Sequence, residues 1–252
     1  MCSTAHARKG ELQEGSFRTW QFRDAVGRKT KLRLTKDEVR SRIEEIGIIP
    51  AVRVSSAPDA LFAAETVARS GIPIVEVTLT VPGAVEVISH LQRDCPEVIV
   101  GAGSLTDVDA AKRCLDAGAQ FLTSTGLDLA MIEFACRENV VVFPGALTPT
   151  EILAAWKAGP DFVKVFPCAA VGGASYIRAL KGPFPHIPLI ASGGVNQHTA
   201  ADFIVSGAVA LGIGGDLIHH EAIQLRKADW ILELGHRFVT IVKRARAEKA
   251  AR

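Results

Sequence analysis

The sequence lacks the marks of several protein classes. No apolar run approaches the ~18 residues of a membrane-spanning helix, so a membrane span is not expected. The formal net charge is only +2, which leaves no overall basic field to attract nucleic acid. The five cysteines, Cys2, Cys95, Cys114, Cys136 and Cys168, are odd in number and form no C-x-x-C pair, so reduced thiols are expected rather than a disulfide framework. No H-E-x-x-H pattern occurs among the seven histidines. The one adjacent pair, His219-His220, points two ways on any regular element and reads as surface, so no metal site is expected. Residues 1–15 are polar and lack the apolar core of a secretory leader, which points to the cytoplasm.

What is present is an ordinary globular composition, 48% hydrophobic and 22% charged, which excludes a disordered chain. The charge is unevenly spread. Residues 1–45 carry 11 Lys+Arg against 7 Asp+Glu, and the remainder 18 against 20, so a basic front segment precedes a mildly acidic body. The front segment reads as a solvated extension in preference to a nucleic-acid or membrane arm. Within it, 19–23 and 29–34 look like two strands joined by the turn 25–28. Thr35-x-x-Glu38 is a capping box that starts a helix over 36–45, and the apolar Val39, Ile43 and Ile46 suit that helix to plugging one end of a barrel.

From residue 48 onward, short apolar runs alternate with longer helical stretches. The runs are 48–54, 74–80, 98–101, 121–124, 140–143, 162–166, 189–191 and 209–213. Helices are expected between them at 58–70, 83–93, 107–117, 129–138, 149–158, 175–181 and 199–206, with an eighth at 228–248 whose Ile231, Leu234, Phe238 and Ile241 recur at helical spacing. The basic Lys243, Arg244 and Arg246 suit the C-terminal end of that helix's dipole. Glycines 71, 118, 159 and 207 stand where helices must stop. The runs do not alternate strictly, as befits parallel strands covered on both faces. Eight βα units in about 200 residues fit a (β/α)8 TIM barrel over 46–252, carrying an N-terminal extension over 1–45. An open doubly wound sheet would have fewer strands and a glycine-rich first turn.

Barrel chemistry sits at the C-terminal ends of the strands. Lys164 shares parity with Phe162 and Phe166, and an ammonium among such neighbours is costly, whereas a neutral amine there is a nucleophile toward ketones. Glu76, Thr78 and Thr80 share one face of the second run, which makes Glu76 a candidate general acid/base beside Lys164. A plain ion pair between the two is the competing reading. Both bring them together, but only catalysis leaves room for substrate between them. Arg53, closing the first run, suits a substrate carboxylate through its planar fork, or is simply a solvated strand end. Ser192-Gly193-Gly194 and Gly214-Gly215-Asp216 follow the last two runs, where barrels often hold a phosphate on backbone N–H groups, although Asp216 is an awkward neighbour for a dianion.

At these residues the sequence resembles the class I pyruvate aldolases that include the 2-keto-3-deoxy-6-phosphogluconate (KDPG) and 4-hydroxy-2-oxoglutarate (KHG) aldolases. The runs that carry the resemblance are Glu76-Val-Thr-Leu, Gly101-Ala-Gly-Ser104, Phe143-Pro-Gly145, Val163-Lys164-Val-Phe-Pro167, Gly182-Pro-Phe184, Ser192-Gly-Gly194 and Gly214-Gly215. The resemblance implies a homotrimeric barrel that needs no metal or other cofactor, with Lys164 as Schiff-base lysine and Glu76 as proton shuttle. It puts Ser104 and Ser192 where the family usually has threonines that hold the substrate, and Thr125 where it usually has a proline. Many members carry an arginine four residues after the glutamate, where this chain has Thr80. The phosphogalactonate branch instead has one at the end of strand one, like Arg53. Asp216 stands where the phosphogluconate enzymes have serine.

The expected function is retro-aldol cleavage of a 2-keto-3-deoxy sugar acid, phosphorylated or not, or of 4-hydroxy-2-oxoglutarate, to pyruvate and an aldehyde. The partner is a small 2-keto acid, with no nucleic acid and no membrane. Arg53, Thr78, Ser104, Thr125, Ser192, Gly193, Gly194, Gly214, Gly215 and Asp216 are the candidate binding residues. A barrel isomerase or epimerase that uses Lys164 only as a charge, and a non-catalytic sugar-acid-binding barrel, are the rival readings.

Overall fold

The computed structural model describes residues 34–251. The hairpin expected over 19–34 lies, but for Leu34, outside the described residues. Within them the strands are β1 (Ile48–Val52), β2 (Ile74–Thr78), β3 (Ile99–Leu105), β4 (Phe121–Ser124), β5 (Val141–Phe143), β6 (Gly145–Ala146), β7 (Val163–Val165), β8 (Leu189–Ser192) and β9 (Ala210–Ile213). All pair in parallel, in the order β5-β4-β3-β2-β1-β9-β8-β7-β6.

The ends of that order are one chain segment. β5 and β6 flank Pro144, which has no N–H to give a ladder. The half before it pairs with β4 and the half after it with β7. One interrupted strand therefore closes the ring, and the architecture is the (β/α)8 TIM barrel. Asp161 seals the step between β5 and β7. Its N–H donates to Val142 O at 3.1 Å, and its carboxylate accepts from Val142 N at 3.0 Å.

Strand parity sorts the side chains. Ile49, Ile74, Ile99, Phe121, Phe143, Phe162 and Ile190 fill the lumen, while Val52, Val75, Val77 and Val100 pack outward under the helices. Phe121 stacks on Phe143 at 5.3 Å between centroids, and Phe143 meets Phe162 edge-on at 6.2 Å. The helices around the ring are α2 (Ala57–Arg69), α3 (Ala84–Asp94), α4 (Val108–Asp116), α5 (Leu129–Arg137), α6 (Pro149–Lys157), α7 (Ala174–Lys181), α8 (Ala200–Val205), α9 (His220–Gln224) and α10 (Ala228–Ala250). Gly118 and Gly207, at φ +102° and +114°, turn the chain out of α4 and α8 through the left-handed region.

Helix α1 (Lys36–Ile46) precedes the ring. Thr35 and Glu38 form its capping box: Thr35 N donates to the Glu38 carboxylate at 2.7 Å, and Glu38 N to the Thr35 hydroxyl at 3.3 Å. Its Val39 and Ile43 are fully buried in the lumen cluster, beneath the N-terminal ends of the strands. Lys36 Nζ lies 3.1 Å from Asp161 Oδ2. Gly47, at φ +69°, stops α1 immediately before β1.

Three expectations are corrected. Strands one and two end at Val52 and Thr78, so Arg53 and Thr80 sit in the turns beyond them. Arg246 does not serve its own helix dipole. It crosses to the end of α1, donating to Glu44 O at 2.6 Å, to Glu45 O and to Val209 O at 3.0 Å. The His219-His220 pair is not wholly surface: His220 is exposed, but the half-buried His219 ring stacks on Trp230 with centroids 4.7 Å apart.

Candidate active site

Lys164 is the middle residue of β7, and its parity with Phe162 turns it into the lumen, above the apolar layer. Glu76 occupies the same position in β2, one inward step above Ile74. The two come from non-neighbouring strands of the ring, and Lys164 Nζ stands 3.7 Å from Glu76 Oε2. Their exposures are 5% and 2%, so the pair is shielded from bulk water. At 3.7 Å it is an ion pair but longer than a normal hydrogen bond. Phe166 lies to one side of the amine, its ring centroid 5.9 Å from Nζ.

The glutamate's position depends on a neighbour without a side chain. β2 pairs with β3 so that Glu76 lies beside Gly101 and Thr78 beside Gly103. A Cβ on Gly103 would fall on the Glu76 carboxylate. Gly103 thus gives the acid its room, a function the sequence reading did not assign. The signal was there: glycines two apart share a face of a strand, and glycine inside a strand marks close approach.

Arg53 begins the turn after β1 and is exposed. Its Nη2 donates to the Ser104 hydroxyl at 3.2 Å, and no carboxylate pairs with it among the described residues. Ser104 holds φ +58°, a left-handed conformation that non-glycine residues rarely adopt and that clusters at functional sites. Thr78 is committed elsewhere: its hydroxyl donates to Val52 O at 3.0 Å, which leaves it to accept from Thr80 Oγ1 at 2.8 Å. Thr78 therefore anchors the end of β1, next to Arg53.

The remaining candidates divide into two groups. Ser192 ends β8 opposite Gly212 of β9 and is nearly buried. Gly193 and Gly194 follow at φ +84° each, and the loop after β7 is tied to them by Cys168 N to Ser192 O (2.9 Å) and Ala169 N to Gly193 O (3.0 Å). Gly214 and Gly215 open the turn after β9, with open space where a Cβ would stand. Asp216 next to them is exposed. Thr125 is exposed in the turn after β4, where its backbone carbonyl, not its side chain, lies against Gly145. All these residues lie at or beyond the C-terminal strand ends, on the side of the barrel opposite α1. An amine and a carboxylate in a shielded lumen, a guanidinium at the rim and a glycine-lined opening can together bind a small keto acid and move protons along it.

The comparisons agree with this geometry. The family described as KDPG and KHG aldolase matches residues 39–234. The 2-dehydro-3-deoxy-phosphogluconate aldolase of Haemophilus influenzae is 28% identical over 210 residues, covering 83% of this chain and 99% of that protein. The KHG/KDPG aldolase of Escherichia coli is 30% identical over 193 residues, covering 76% of this chain and 90% of that one. Among solved structures, the KDPG aldolase of Legionella pneumophila, with pyruvate captured as a covalent carbinolamine intermediate, superposes with a TM-score of 0.73 at 26% identity. It covers 78% of this chain and 96% of that one. The chain belongs to the KDPG and KHG aldolase family.

Proposed function

We propose that Lys164 and Glu76 carry out the retro-aldol reaction of this class I aldolase. Their meeting at 3.7 Å inside a shielded lumen fits a plain ion pair as well, so what carries the assignment is that this pair stands in a chain whose residues 39–234 match the KDPG and KHG aldolase family. Lys164 Nζ adds to the C2 carbonyl of the keto acid. The carbinolamine hydroxyl leaves as water, with a proton supplied by Glu76, and a protonated imine remains. The Glu76 carboxylate then takes the C4 hydroxyl proton. The C3–C4 bond breaks, its electron pair moves into the imine, and an aldehyde departs. Protonation of the enamine at C3 and hydrolysis of the imine release pyruvate and restore the lysine. Burial helps because it limits the water that reaches the imine before the C3–C4 bond breaks and leaves the charges little screened.

Arg53 and Ser104 hold the C1 carboxylate in this reading, supported by their hydrogen bond and by the absence of a carboxylate partner for Arg53 among the described residues. Ser192, Gly193, Gly194, Gly214 and Gly215 receive the far end, and Thr125 and Asp216 border it. The substrate is a 2-keto-3-deoxy sugar acid or 4-hydroxy-2-oxoglutarate. The Legionella relative's covalent pyruvate adduct supports a lysine mechanism here as well.

Incubation with pyruvate and borohydride tests the assignment. A reduced pyruvyl group is expected on Lys164. No adduct, or one on another lysine, overturns it. The same proposal places the enzyme in the cytoplasm as a homotrimer. Among the described residues the free thiols of Cys95, Cys114, Cys136 and Cys168 and the exposed Leu129 and Leu153 support it, as does similarity to a cage built by fusing symmetric oligomeric domains. Light scattering that returns a monomer would sink the trimer.

A further inference from the structure

The seam that closes the ring lies between β4 and β7, and it is built from two short pieces of strand, β5 and β6, on either side of Pro144. On the side facing β7, backbone groups alone serve it: Pro144 O accepts from Lys164 N at 2.9 Å, and Ala146 O from Phe166 N at 3.1 Å. On the side facing β4 the ladder stops, because β4 ends at Ser124 with Thr123 beside Phe143. The next two backbone groups on that side, Phe143 O and Gly145 N–H, are taken by side chains. Thr123 Oγ1 donates to Phe143 O at 2.8 Å, and Ser124 Oγ accepts from Gly145 N at 3.3 Å.

Both residues are buried. The proton of the Ser124 hydroxyl goes to Gly126 O at 2.6 Å, so one side chain ties the turn after β4 to the strand break. That turn packs closely on the break, since a Cβ on Gly145 would fall on the Thr125 carbonyl. Thr123 stands one inward step above Phe121 on β4, as Lys164 stands one above Phe162 on β7. Between them, Gly145 is the residue in register with Lys164. A continuous set of contacts therefore runs from β4, through the two hydroxyls, to Phe143 and Gly145, and from Pro144 O to the backbone of the lysine.

We infer that Thr123 and Ser124 are positioning residues for Lys164: their hydroxyls splice the interrupted strand to β4, and the spliced strand holds β7 where the amine meets Glu76 and the C2 carbonyl. The inference rests on the reading of Lys164 as the Schiff-base lysine and adds two residues that act through it. Loss of either hydroxyl leaves a buried backbone group of the break without its partner, and the segment must shift to find another. A shift of about 1 Å at a reacting group can cost up to about 10²-fold in rate.

Pyruvate in heavy water is the probe. The enamine it forms on Lys164 takes up deuterium at C3, so NMR of the methyl group gives kcat and KM for exchange on the full chain. Thr123→Val removes the hydroxyl and should lower kcat about tenfold or more with KM little changed, and Ser124→Ala should do the same. Thr123→Ser keeps the hydroxyl and should restore most of the rate. Asp161→Ala opens the same seam at its opposite end and should lower the urea midpoint while leaving kcat unchanged. The inference is overturned by a kcat near that of the unmodified chain in Thr123→Val or Ser124→Ala, whatever happens to the midpoint, or by a loss confined to KM. A Thr123→Ser variant as slow as Thr123→Val, or an equal loss of kcat in Asp161→Ala, also overturns it. Should Thr123→Val not fold, Ser124→Ala decides by the same criteria. In each of these outcomes, borohydride trapping of pyruvate on Lys164 of the unmodified chain leaves the aldolase reading intact. Failure of that trapping overturns the aldolase reading and this inference with it.

Discussion

The two ends of the barrel use the same kinds of side chain to opposite effect. At the N-terminal end the buried or half-buried charges are matched, although the buried Gln120 amide just before β4 has no hydrogen-bond partner among the described residues. Asp161 receives Lys36 and the Val142 N–H, and Arg246 satisfies carbonyls at the end of α1. Val39 and Ile43 close the lumen with apolar contact. At the C-terminal end the groups are left under-committed: Lys164 and Glu76 stand at 3.7 Å, Arg53 touches one hydroxyl, and Asp216 has no partner among the described residues. Saturated polar groups rigidify a scaffold. Unsaturated ones store interaction energy for a substrate. The bottom is built to hold the fold and the top to bind, and substitutions at the two ends should separate along that line.

The largest effect is expected at Lys164. Lys164→Arg keeps the charge and removes the nucleophile, so kcat/KM for pyruvate release should fall at least about 10⁴-fold with the thermal midpoint little changed. Residual activity near that of the unmodified chain would favour an isomerase-like use of Lys164 as a charge. Next is the acid. Glu76→Gln should cost about 10²–10⁴-fold in kcat. Gly103→Ala, which never touches substrate, should cost about 10²-fold by displacing the Glu76 carboxylate, with the loss in kcat rather than KM.

The bottom should answer in stability. Ile43→Ala removes a fully buried side chain from the lumen cluster and should cost about 2–5 kcal/mol in a urea titration. Asp161→Ala leaves the Val142 N–H unpaired where β5 and β7 meet and should cost about 1–3 kcal/mol. Both variants should retain kcat per folded molecule. A bottom variant that stays folded but loses kcat would break the division between the ends.

How far the sequence discloses this division differs with the physics of each part. The lumen residues are legible because period-two parity fixes them: Phe162, Lys164 and Phe166 share one face, and so do Ile74 and Glu76. The break at Pro144 is not legible, since the two-residue β6 is too short to carry a pattern and its pairing with β7 is decided by ring closure. β3 runs on through Gly101 to Leu105, although glycines argue locally for a loop. There the absent side chains are required by Phe121 and Glu76, which come from other strands. α9 escapes notice because five residues show no helical period. Arg246 is misassigned for a related reason: two of its three partners lie 201 and 202 residues away and the third 37, and dipole rules see only its own helix.

The smallest effect concerns two thiols. Burial pushes Cys114 and Cys168 up to about 11. Cys168 lies on the active-site side, in the loop after β7, yet its thiol donates to Val165 O at 3.3 Å. It is thus a matched group at the under-committed end. A thiol whose folded value is raised contributes stability that is complete below its unfolded value, near 9, and lost as pH rises through about 11. Across that window the unfolded chain gives up its protons first, so the urea midpoint should fall between pH 8.5 and 11 and should fall less in a Cys114→Ala, Cys168→Ala double variant. At pH 8 both thiols should label slowly in the native protein, behind the half-buried Cys95 and Cys136. Rapid labelling of Cys168 alone would mean that the loop joining β7 to the paired glycines opens in the resting enzyme. The comparison would then sharpen: the C-terminal end would differ from the plugged end in local opening as well as in unsatisfied charge.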